Sequence, residues 1–155
     1  MKILLATDGS AHSKIVLENV AGKLYPPNTE IRIVFAYQST PLISSIETMG
    51  VSQEYYAEFD RYTLKAAEEI TKNTAEILHK KNPALIITTT VIDGSPKSVI
   101  LKEAEIFGAD LIIVGSHGSG AVKRFLLGSV SQAVVLHAKC SVEIVRLKSI
   151  RKNKT

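Results

Sequence analysis

The chain has a single cysteine, Cys140, among 155 residues, so no internal disulfide can form. The fold has to rest on its core alone. That is within reach, because a chain of this length buries roughly 68–70% of the surface it exposes when unfolded, without a disulfide or structural metal. No apolar run approaches the roughly 18 residues that a membrane span requires. Met1-Lys2 leads straight into the short strand Ile3-Leu4-Leu5-Ala6-Thr7 and not into a secretory leader. A cytoplasmic location away from membranes is therefore expected, and the scarcity of cysteine fits a reducing compartment. The net charge is only +4, much of it in the tail Lys148-Ser149-Ile150-Arg151-Lys152-Asn153-Lys154. No aromatic residues interleave with these charges as in a stacking surface for bases, so the tail reads as a solvated end and nucleic acid is not an expected partner.

Several catalytic signatures are also missing. No GxxxxGK[ST] string occurs, which disfavours P-loop hydrolysis. Gly115, Gly118 and Gly120 run in the reverse of the GxGxxG spacing, and no acidic residue about twenty positions on is placed for a ribose, which disfavours dinucleotide redox chemistry. Spacing reveals no Ser/His/Asp triad, paired-carboxylate site or metal-ligand cluster, and there is no internal repeat or linker.

What is present is an alternation of strand and helix patterns, the signature of βαβ units and a parallel sheet in an α/β fold. After the first strand, Ser13 to Leu24 has helical spacing, with Val16, Leu17, Val20 and Leu24 on one face. The Pro26-Pro27-Asn28 turn introduces a strand from Glu30 to Tyr37. The polar segment from Gln38 to Val51 reads as an irregular loop over one edge of the sheet, able to serve as a lid. Helical spacing resumes from Glu54 to Lys81 through Phe59, Tyr62, Ala66, Ile70, Thr74 and Ile77, whose aromatics are expected in the core, and Asn82-Pro83 ends it. Leu85 to Val91 is the third strand. Gly94-Ser95-Pro96 supplies a turn, an N-cap and a first-turn proline for a helix reaching Phe107, with Gly108 beyond it. The run from Ala109 to Val114 is a buried parallel strand, and Ser141 to Leu147 makes a fifth. One domain over residues 1–147 and a basic tail, 148–155, are predicted.

Function is carried by the segment Gly115-Ser116-His117-Gly118, nine residues, then Gly128-Ser129. Gly115 opens a loop at a strand's carboxyl end, where open α/β sheets bind ligands and where glycine permits positive φ and close backbone approach. Gly128-Ser129 begins the helical stretch Val130 to Ala138, so N–H groups and the positive end of the helix dipole face whatever the loop holds. The dipole supplies about 0.3–1 kcal/mol, up to about 2 when partly buried, so several N–H and hydroxyl donors must converge, Ser129 and Ser131 among them.

With these motifs the chain resembles, over essentially its whole length, the ATP-binding branch of the universal stress protein family. The family pattern is GxxG, nine residues, then G[ST], matched by Gly115, Gly118, Gly128 and Ser129; the strand followed by Thr7-Asp8-Gly9-Ser10 and the Gly94-Ser95-Pro96 turn are further matches. The resemblance implies a three-layer, open, twisted, parallel five-stranded sheet in the order 3-2-1-4-5, of the Rossmann-like, adenine nucleotide alpha hydrolase-like kind. It implies ATP, or AMP or ADP, as ligand, with Mg2+ arriving on the phosphates and not through a cluster of protein ligands. Asp8 would lie on the nucleoside and metal side of the cleft, and the backbone around Ala36 would meet the adenine. Gly115 and Gly118 would lie along the ribose and phosphates, and Gly128, Ser129 and Ser131 would bind phosphate oxygens. Thr7, Val114, His117 and Val130 complete the implied nucleotide-binding set. A homodimer through the last strand, an unidentified protein partner, and a regulatory role with at most slow hydrolysis follow from the same resemblance. The sequence departs from many members at Lys139-Cys140-Ser141, where they carry prolines around the cysteine, a difference that bears on assembly more than on nucleotide binding.

Two other readings share the architecture: an adenylate-forming or ATP-hydrolysing enzyme, and a dimeric module that no longer uses nucleotide. Thr7-Asp8-Gly9-Ser10 loosely matches an SGGxDS adenylation loop but lacks its paired glycines and later acid. Asp8 also has a local explanation as a turn residue bonding its own backbone. His117 is read as stabilising the loop, His12, His79 and His137 are given no function, Lys123-Arg124 reads equally as a phosphate contact or a solvated pair, and Cys140 is read as a small core residue.

Overall fold

A computed structural model describes residues 1–39, 53–118 and 127–146. The expected lid beyond Ser39, Gly120, the Lys123-Arg124 pair and the basic tail lie outside the described residues. Among the described residues nine elements alternate: β1 (Lys2–Ala6), α1 (Ala11–Ala21), β2 (Glu30–Tyr37), α2 (Gln53–Lys81), β3 (Ile86–Asp93), α3 (Pro96–Phe107), β4 (Leu111–Gly115), α4 (Ser129–His137) and β5 (Ser141–Val145). The strands form one sheet in the order β3-β2-β1-β4-β5, every pairing parallel. This is the predicted three-layer architecture.

Strand periodicity sorts the core into two layers. Ile3, Leu5, Ile31, Ile33 and Ile113 point to one face and pack with Val16 and Val20 of α1 and Leu78 of α2. Leu4, Val34, Ile112 and Val114 point to the other and pack with Val99, Ile100 and Phe107 of α3 and Val134 of α4. Each such fully buried aliphatic side chain contributes about 1.5–3 kcal/mol, so the two layers carry most of the stabilisation.

Several details differ from the sequence reading. Helix α1 starts earlier, because Ser10 caps it by accepting a bond from the Ser13 N–H, and it ends at Gly22. Leu24 consequently falls beyond the helix and is 99% exposed, not on its buried face. In α2 the buried positions are Ala67, Thr71, Thr74 and Leu78, whereas Phe59, Tyr62 and Ile77 are exposed. A 29-residue helix runs roughly 43 Å and strands of five to eight residues roughly 17–26 Å, so the first turns of α2 overhang the sheet and its aromatics find no core there. Strand β3 runs two residues further than expected, to Asp93, whose carboxylate accepts bonds from the Ser39 N–H and hydroxyl at 2.9 and 2.5 Å.

Candidate functional site

Strands β1 and β4 are neighbours at the centre of the sheet, but the helices that follow them pack on opposite faces, α1 with α2 and α4 with α3. Their chains part company at their carboxyl ends, which is where an open α/β sheet forms its binding crevice. Thr7 and Asp8 leave β1 at this point, Val114 and Gly115 close β4, and Ala36 sits near the end of the adjacent β2.

The turn after β1 is fixed from within. Asp8 Oδ1 accepts the Ser10 N–H at 3.0 Å and the Ser13 hydroxyl, while the Asp8 N–H donates to Ser13 Oγ at 3.1 Å. Gly9 turns the chain at φ +70° directly against Ile70 of α2, where an added Cβ would stand 2.6 Å from the Ile70 Cδ1. The local turn role of Asp8 is thus real and occupies one carboxylate oxygen. The other has a different neighbour: a Cβ on Gly118 would lie 2.8 Å from Asp8 Oδ2. Residues 110 positions apart in the chain therefore meet at the carboxyl edge of the sheet.

The loop after β4 is closed just as tightly. The Ser116 N–H donates to the Val145 carbonyl at 2.9 Å, and the Ser116 carbonyl accepts the Gly128 N–H at 2.7 Å. A Cβ on Gly128 would meet Ser116 O at 3.3 Å and His117 Cα at 3.5 Å. Gly115, Gly118 and Gly128 all lack positive φ, so glycine serves here for room and not for backbone sign. Gly128 is also the N-cap of α4. The N–H groups of Ser129, Val130 and Ser131, which a helix leaves without an intrahelical acceptor, thereby come up beside the 116–118 backbone.

Ser131 is 4% exposed, and its hydroxyl donates to the Gly115 carbonyl at 2.6 Å, pinning α4 to the end of β4. Its expected hydroxyl contribution to a ligand is spent within the fold, which leaves its N–H. His117 bonds Ser116 Oγ through Nδ1 at 3.1 Å, consistent with a loop-stabilising role, and its ring also lies 5.8 Å from that of His12, tilted by 45°. Sequence reasoning gave His12 no part. The only available signal was its place in the first turn of α1, just after the Asp8 turn.

Cys140 lies at the other end of the sheet, lining a hollow of about 330 Å³ with Leu101, Ala104 and Lys139. Burial, and then the negative charge of Asp110, push its thiol up, away from thiolate reactivity. A second hollow of about 450 Å³ lies between α1 and α2, around Leu17 and Ile77. Neither is lined by Thr7, Asp8, residues 114–118 or residues 128–131. Among the described residues no group of three or more His, Cys, Asp or Glu side chains could hold a metal, and no helix is long and apolar enough to cross a membrane.

The sequence profile of the universal stress protein family matches residues 1–146. A Staphylococcus epidermidis protein named as a putative universal stress protein is 34% identical over 148 residues, covering 93% of this chain and 82% of its own. Among solved structures, a hypothetical protein whose biochemical function was assigned from its structure superposes with a TM-score of 0.80 at 27% identity, over 96% of both chains. A universal stress protein family member from Arabidopsis thaliana with AMP bound superposes with a TM-score of 0.69 at 19% identity, over 96% of this chain and 93% of its own. With this profile match, this similarity in sequence and the parallel sheet in the order 3-2-1-4-5, the chain belongs to the universal stress protein family.

Proposed function

We propose that this chain binds an adenine nucleotide, ATP with Mg2+ or its AMP and ADP relatives, in the β1/β4 crevice, and acts as a nucleotide-dependent regulatory or signalling protein of the cytoplasmic stress response. The observation that carries the reading is the meeting of Asp8, Gly118 and Gly128 around one cleft, with Asp8 Oδ2 against Gly118 and the Gly128 N–H on the Ser116 carbonyl. The AMP held by the Arabidopsis protein of the same fold supports the class of ligand.

The polarity of the cleft suggests how the ligand lies. The Asp8 carboxylate is an acceptor suited to ribose hydroxyl donors and repels phosphate, whereas the first-turn N–H groups of α4 attract phosphate. Ribose therefore belongs on the β1 side with Thr7 and Asp8, phosphates belong along Gly115, Gly118 and Gly128 to Ser131, and adenine reaches toward Ala36. Mg2+ would be held by the phosphate oxygens and would offset their charge. Nothing in this assignment calls for a general base, and hydrolysis faster than an occasional event is not part of the reading.

Assembly as a homodimer through β5 is the other half of the proposal. Ser141 donates its N–H to the Asp110 carbonyl at 3.3 Å and Val145 accepts from the Ser116 N–H, so residues 141, 143 and 145 turn their backbone groups toward β4. The backbone groups of Val142 and Ile144 then point to the outer edge of the sheet, ready to pair with a second copy.

Calorimetric titration of nucleotide-free protein with ATP tests the central part. Binding in the micromolar range, about −8 kcal/mol, is expected, tightened by Mg2+. A flat titration with ATP, ADP and AMP alike contradicts it.

A further inference from the structure

The ring contact between His12 and His117 joins the two sides of the crevice. His12 is the second residue of α1, in the turn that follows Asp8 and the Ser10 cap, and is half-buried. His117 belongs to the loop after β4, and its Cα is one of the atoms against which Gly128 closes. The two imidazoles, 5.8 Å apart, therefore stand between the first turn of α1 and the first turn of α4, both positive helix ends. Asp8 contributes the opposing charge from the β1 turn, Lys14 is exposed on α1, and α2 meets this region through Ile70.

We propose that His12 is a further ligand-contacting residue of this site, reaching from the first turn of α1 to the His117 loop and donating from its imidazole to the phosphate portion of the bound nucleotide. The inference rests on the nucleotide reading above. An imidazole whose ring meets His117 of the phosphate-side loop is placed to donate to the anion rather than to the nucleoside. Its removal should cost phosphate-bearing ligands and spare adenosine.

The test is displacement of a fluorescent ATP analogue by ATP and by adenosine from the wild type, His12→Ala and His12→Lys, with thermal melting of each protein. His12→Ala is expected to weaken ATP about tenfold, the range of one charge-assisted hydrogen bond, with adenosine changed less than about twofold. His12→Lys, which supplies an N–H donor from the same helix position, should recover most of the ATP affinity. Unchanged ATP affinity in His12→Ala overturns the inference, as does an equal loss for ATP and adenosine, which marks a structural role. A wild type that binds neither ligand removes the nucleotide reading itself, and this inference with it.

Discussion

Asp8 is fixed by the fold and stands in the proposed site. Its Oδ1 is committed to the Ser10 N–H and the Ser13 hydroxyl, while its Oδ2 faces Gly118 across the cleft. Asp8→Asn keeps the turn's shape but removes the charge suited to ribose hydroxyls, and is expected to weaken ATP about tenfold with a small change in melting temperature, as titration and thermal melts would show. Ser131 is committed to the fold: Ser131→Ala loses the hydroxyl bond to the Gly115 carbonyl and should cost about 1 kcal/mol in urea unfolding. Tyr25 gives a pH signature. Its hydroxyl donates to the Val20 carbonyl at 3.1 Å, and burial, then the charge of Glu143, push its phenol up from 10.0 to about 12. The folded state holds this proton more tightly than the unfolded chain does. The resulting stabilisation is complete below about pH 10 and is lost as pH rises toward about 12. Urea midpoints between pH 9 and 12 should therefore fall more steeply for the wild type than for Tyr25→Phe, and parallel curves would contradict the assignment.

Among the elements, β2 and α3 are joined by more than apolar packing. Arg32 of β2 reaches Glu103 of α3 at 2.7 Å and lies over the Phe107 ring at 4.3 Å, with Glu103 8% exposed. Breaking a buried pair from one side strands the other charge, so Glu103→Ala should cost about 3 kcal/mol by denaturant unfolding, and more than the truncation of the exposed Glu105. Alternating periodicity made the strands and the existence of all four helices legible in the sequence. It did not separate α2's buried face from its aromatics, because both recur at helical spacing, and only the length of the sheet decides which turns are covered. The end of α1 was misread for a related reason: Leu24 continues the apolar spacing, but Gly22 stops the helix before it.

In the whole molecule, the proposed site depends on the sheet order that sets β1 beside β4. The glycine spacing in the chain pointed to the loop and to the start of α4, and the Asp8 turn was visible as a strand end. Their contact was not, since Asp8 and Gly118 are 110 residues apart and no local pattern encodes the pairing, and the same holds for His12 and His117. The family resemblance supplied that proximity from outside the residues themselves. The molecule's outer edge makes its own prediction: Val142→Pro removes an outward N–H from β5 and should convert a dimer to monomer in analytical ultracentrifugation, while Leu24→Ser leaves assembly unchanged.

Whether the Gly118 face of the β1/β4 crevice receives the nucleotide is decided by titrating wild type and Gly118→Val side by side with ATP and Mg2+. The added Cβ would start 2.8 Å from Asp8 Oδ2 and its methyl groups would fill the space between the walls. Micromolar binding by the wild type and a loss of at least about a hundredfold in a variant with unchanged circular dichroism is the predicted result. Equal ATP affinity in the two proteins would contradict the claim and place the nucleotide elsewhere.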